Sequence, residues 1–109
     1  IQYKSAVFDL TTTNLTTVLT VATSAVAIVK TVQASHMDAS NVDADLYLKK
    51  SGGSDVEIGH AQLNKSSVNM IVNTLNLEAG DVIKMQADTA NEITGAVSYA
   101  LIDRSQQNG

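Results

Sequence analysis

The chain has no cysteine and no proline. The first absence excludes disulfides and thiolate metal centres, so neither a reducing nor an oxidising compartment sets a covalent condition on the fold. The second removes X-Pro isomerisation, a common slow step in folding, and is unusual against an average usage of about 5%. Fast folding suits a protein made in bulk. Aromatic residues are scarce: Tyr3, Phe8, Tyr47 and Tyr99, with no tryptophan. Four are too few for an obvious platform on which sugars or bases stack. Charge is sparse too, at 17% of 109 residues, with 7 Lys and Arg against 11 Asp and Glu and a net charge of −4. A mildly acidic chain repels phosphate backbones and has no basic cluster for an anionic membrane, so neither nucleic acid nor membrane is an expected partner. No apolar run reaches the roughly 20 residues of a membrane-spanning helix. The stretch from Val18 to Val32 is broken by Thr20, Thr23, Ser24, Lys30 and Thr31. The start, Ile1-Gln2-Tyr3-Lys4, does not read as a signal peptide.

What is present favours a pleated surface. Apolar residues make up 44% of the chain, and Ser, Thr, Asn and Gln take much of the place of charge. Threonine and valine suit strands better than helices, because branching at Cβ restricts χ1. Eight strands are predicted, over Tyr3 to Leu10, Leu15 to Val21, Ala25 to Ser35, Asp43 to Lys50, Val56 to Leu63, Val68 to Leu77, Val82 to Ala87 and Ile93 to Ile102. The third is long enough to be bent or bulged. Two segments alternate clearly: Leu46 and Leu48 against Asp45, Tyr47 and Lys49, and Ile83 and Met85 against Lys84 and Gln86. Ser51-Gly52-Gly53-Ser54 is the strongest turn, since adjacent glycines allow the positive φ of a tight hairpin. Glu78-Ala79-Gly80-Asp81 is a second turn, and His36 to Val42 reads as a polar connection. Short strands at this spacing indicate one domain over 1–109, an all-β antiparallel sandwich of about eight strands, immunoglobulin-like or jelly-roll-like.

Candidate chemistry is thin. His36 and His60 lie far apart without metal-ligand spacing and read as surface or edge residues. Asp38, Asn41, Asp43 and Asp45 offer oxygen ligands but do not fit a calcium loop: the sixth residue from Asp38 is Asp43 and the twelfth is Lys49, where an EF-hand needs Gly and Glu. There is no GxSxG elbow and no phosphate loop. Glu57 and Glu78 have no identifiable carboxylate partner. The expectation is a non-enzyme with no catalytic, cofactor or metal residues, whose folding does not depend on a metal. Interfaces are a different matter. Val7 and Phe8 are adjacent, so in a strand one enters the core while the other meets a neighbour. Tyr47 is placed to face outward as a contact. Asp43, Asp45, Lys49 and Lys50 read as charges guarding exposed strand edges. An open sandwich leaves several such edges, which favours a homo-oligomer, with a trimer the leading guess.

The run Lys4-Ser5-Ala6-Val7-Phe8-Asp9-Leu10, followed by Asn14-Leu15-Thr16-Thr17-Val18-Leu19, resembles the opening of small virion proteins of tailed marine cyanophages. The stretch from Leu75 to Ala87, with Leu77-Glu78-Ala79-Gly80-Asp81 at its turn, is similar to their shared hairpin, and Val97-Ser98-Tyr99 to their closing strand. The resemblance implies a structural part of the particle, as capsid decoration, knob or small tail component, made in the host cytoplasm and carried on the virion surface. It implies the major capsid protein or other virion proteins as partners, and it transfers no catalytic residue. The alternative is a small binding module that recognises a carbohydrate or host receptor through its loops.

Overall fold

A computed structural model describes residues 1–36, 41–63, 68–72 and 74–103. Among these described residues, nine strands follow one another: β1 (Gln2–Leu10), β2 (Thr16–Thr20), β3 (Ala25–His36), β4 (Val42–Lys49), β5 (Asp55–Leu63), β6 (Val68–Val72), β7 (Leu75–Leu77), β8 (Val82–Ala87) and β9 (Ile93–Asp103). Every pairing is antiparallel. One sheet runs β1-β9-β3-β6, with β7 also on β3, and the other runs β2-β8-β4-β5. The expected strand from Val68 to Leu77 is two pieces, both paired with β3. Counted as one interrupted strand, they leave eight strands in two four-membered sheets, the jelly-roll order. The topology therefore selects the jelly-roll form of the expected sandwich over the immunoglobulin-like one.

The alternation in the sequence is the cause of the layering. In β8, Ile83, Met85 and Ala87 are buried while Val82, Lys84 and Gln86 are only partly so. In β4, Val42, Ala44 and Leu46 point inward. Leu10, Val29, Val32, Leu63, Leu77, Ile93 and Val97 complete the core between the sheets. Many core positions are Ala and Val, with Phe8 supplying a ring. β3 carries its expected irregularity as register shifts at Val29/Thr31 and Val32/Gln33.

Two expectations are corrected here. His36 does not lie in a polar surface connection; it ends β3 fully buried, and its Nδ1 donates to the Glu92 carbonyl oxygen at 3.1 Å. Val42, the other end of that connection, is also fully buried. The charges on β4 do not guard an edge either, because β4 lies between β8 and β5. Sheet order is a long-range property that alternation along one strand does not encode.

Candidate functional site

The two outer faces differ in chemistry. On the β1-β9-β3-β6 sheet, the cross-strand rows Tyr3–Ala100–Ile28, Ser5–Ser98–Thr31 and Val7–Ala96–Gln33 contain no charged residue, and charge flanks them at Asp9, in the row Asp9–Thr94–Ser35, and at exposed Lys30 in the β3 bulge. Val7 is 84% exposed and Tyr3 78%. On the β2-β8-β4-β5 sheet, the rows Gln86–Asp45–His60, Lys84–Tyr47–Glu57 and Val82–Lys49–Asp55 are studded with charge. Lys84 Nζ pairs with Asp55 Oδ1 at 3.1 Å across this face.

Within the charged face, three side chains converge. His60 Nδ1 lies 2.5 Å from Asp45 Oδ1, directly across the β4–β5 ladder. One ligand atom each from Asp45, Glu57 and His60 lies within 4.8 Å of the others. Positions 57 and 60 are an odd number apart and would face opposite sides of a regular strand. The register shift opposite Leu46/Tyr47 leaves Ile58 unpaired, and this bulge brings both to one face. The hydrogen bond to Asp45, ahead of its charge, pushes the Glu57 carboxyl above its usual range. The same Asp45 bond raises the His60 imidazole, against a smaller opposing effect of desolvation. Tyr47 beside them is raised by partial burial, then by Glu57, Asp45 and Asp55. Thr13, Asp43, Asp45, His60, Gln86 and Asp88 border an open concavity of about 470 Å³. Its rim is organised by Gln86 Nε2 donating to Thr13 O at 3.0 Å and by the Asp43 amide donating to Asp88 Oδ1 at 3.2 Å.

A second polar group is structural. Asp81 is almost inaccessible. Its Oδ2 accepts from Lys50 Nζ at 2.5 Å and from the Glu78 amide at 2.8 Å, and its Oδ1 accepts from the Ser51 amide at 3.1 Å. Its main chain exchanges with β2's end: the Val21 amide donates to Asp81 O at 2.9 Å, and the Gly80 amide to Val21 O at 3.0 Å. Burial pushes the carboxyl up, but Lys50 and the two amides outweigh it and hold Asp81 below its usual range. Both turns it joins need a glycine: Gly52 has φ +76° and Gly80 has φ +83°.

The residues singled out from the sequence divide accordingly. Val7 stands exposed in an uncharged row of the outer face of the β1-β9-β3-β6 sheet. Phe8 does not belong to that surface: it is a core residue whose ring covers Gly95. Tyr47 faces outward on the charged sheet, half-buried. His60 lies on an exposed edge strand. Glu57 has the carboxylate partner that the sequence did not disclose, Asp45. Asp38 lies outside the described residues. The odd 57–60 spacing hid the triad, and Asp81 looked like an ordinary turn residue.

No family model matches the sequence, and no curated protein does. Among solved structures, the chain is similar to the Eiger TNF of S. frugiperda, at 11% identity and a TM-score of 0.51, over 89% of this chain and 90% of that one. It is also similar to a subunit of the disulfide-linked pili that form Bacillus endospore appendages, at 10% identity and a TM-score of 0.50, over 92% and 84%. The CBM22-1–GH10 modules of Clostridium thermocellum xylanase 10B align at 9% identity and a TM-score of 0.49; the match covers 72% of this chain and only 17% of the xylanase chain. At such identities the likeness to the first two is one of architecture, and it agrees with the strand order: this chain is an antiparallel β-sandwich.

Proposed function

We propose that this chain is a non-enzymatic structural protein of a tailed-phage virion, which decorates the capsid and associates with copies of itself as a trimer. The observation that carries the reading is the block of three uncharged cross-strand rows on the outer face of the β1-β9-β3-β6 sheet, with Tyr3 and Val7 exposed on its edge strand. Exposed apolar side chains on an edge strand invite pairing with another chain unless a partner covers them. The charged opposite face suits solvent. The sequence resemblance to cyanophage virion proteins supports the same reading, and the pilus subunit with this architecture belongs to an assembled polymer.

Light scattering on the purified domain tests it. The wild type is expected to be oligomeric, burying at least about 1,000 Å² per specific contact. V7E and Y3E are expected to be monomeric, with unchanged melting temperatures and reduced binding to particles. A monomeric wild type that does not bind particles overturns the proposal. Deleting residues 1–10 is a poorer test, because it removes Phe8 and Leu10 from the core.

The concavity beside Asp45 and His60 favours a second reading, a module that binds a small polar ligand such as a glycan. Glycan-array binding that V7E leaves intact and D45N abolishes would select it.

A further inference from the structure

We propose that Asp45, Glu57 and His60 form a binding site for a divalent transition-metal ion, with Zn²⁺ the best chemical match. The donor set is two carboxylate oxygens and one imidazole nitrogen. Imidazole and carboxylate together suit Zn²⁺, whereas Ca²⁺ and Mg²⁺ take oxygen alone. Three protein ligands leave one tetrahedral position for water, on a face open to solvent. A tetrahedral ion with bonds of about 2.0–2.1 Å needs donors roughly 3.3 Å apart. The donor atoms already lie within 4.8 Å of one another, so small side-chain rotations complete the site.

Charge supports the assignment. Two carboxylates in contact repel unless a proton or a cation lies between them. Among the described residues, the basic group beside this pair is the His60 imidazole on Asp45 rather than a lysine or arginine, while Lys50 and Lys84 are engaged by Asp81 and Asp55. A divalent ion held by both carboxylates and the neutral imidazole would neutralise the pair. The backbone supplies an independent argument. The bulge at Ile58 gives up ladder pairing on an edge strand, and its effect is to place Glu57 and His60 on the same side as Asp45. The concavity reaching from Thr13 to His60 gives an ion a route in. The ligands come from two rigid paired strands, so the domain folds without the ion and the ion clamps β5 to β4.

Calorimetric titration of the metal-free protein with Zn²⁺ at neutral pH tests the site. One Zn²⁺ per chain is expected, with release of protons and a rise in melting temperature. E57Q and H60Q, both at exposed positions, are expected to fold normally by circular dichroism and to weaken binding by more than about tenfold. Ca²⁺ and Mg²⁺ are expected not to compete. On the wild type, Co²⁺ is expected to broaden the His60 ring resonances and leave those of His36 sharp. Absence of heat and of any thermal shift overturns the proposal, as does full-strength binding in both variants.

Discussion

The Phe8 ring occupies the space in which a side chain at position 95 would stand. The two residues are cross-strand partners on β1 and β9. A Cβ on Gly95 would meet Phe8 Cε1 at 3.0 Å, with Phe8 Cζ and the Gln33 carbonyl oxygen nearer still. Gly95 thus creates the slot that lets the single phenylalanine enter a core otherwise built of aliphatic residues.

Gly95→Ala is therefore expected to destabilise the domain by about 3 kcal/mol, the upper end of the usual cost of overpacking. Chemical denaturation measures this. Phe8→Ala in the same chain should rescue little, because the Gln33 carbonyl still blocks the added methyl. Full rescue would show that the ring alone sets the limit.

Asp81→Ala leaves the amides of Ser51 and Glu78 without their acceptor and frees two turns from one another. A loss of about 2–3 kcal/mol is expected. The pH dependence follows from the lowered carboxyl. Its stabilising contribution is complete above the ordinary carboxylate value of 3.8 and is lost as pH falls through the lower folded value. Between the ordinary value and the lower folded one, stability should fall less steeply with acid in Asp81→Asn than in the wild type.

His60 is raised in the folded protein, so the opposite sign applies. Its interaction with Asp45 is fully present below the ordinary value of 6.5 and is lost as pH rises through the higher folded value. Proton NMR of the metal-free protein should place the His60 midpoint above 6.5 and bring it back toward that value in Asp45→Asn. A midpoint unmoved by the substitution would show that the 2.5 Å contact does not persist in solution.

His36→Ala should cost more than His60→Ala in metal-free protein, despite the identical residue type. The first opens a cavity at a fully buried site and strips the Glu92 carbonyl of its donor, worth about 2–3 kcal/mol. The second removes a side chain that is mostly in water. Thermal melts of the two variants separate these cases.

The sequence by itself determined the strand character and most strand positions. Period-two burial in β4 and β8 is a local consequence of alternating side chains on a pleat, and the glycines at 52 and 80 announced their turns because only they adopt positive φ without cost. The adjacency of Val7 and Phe8 likewise required opposite faces. Which of them entered the core was decided elsewhere, by the missing side chain at position 95 across the ladder. Tertiary structure alone decided the sheet order, and with it the central place of β4 and the burial of His36. It also decided the meeting of Asp45, Glu57 and His60, since strand pairing joins residues distant in sequence and a single bulged residue reverses the face on which a side chain emerges.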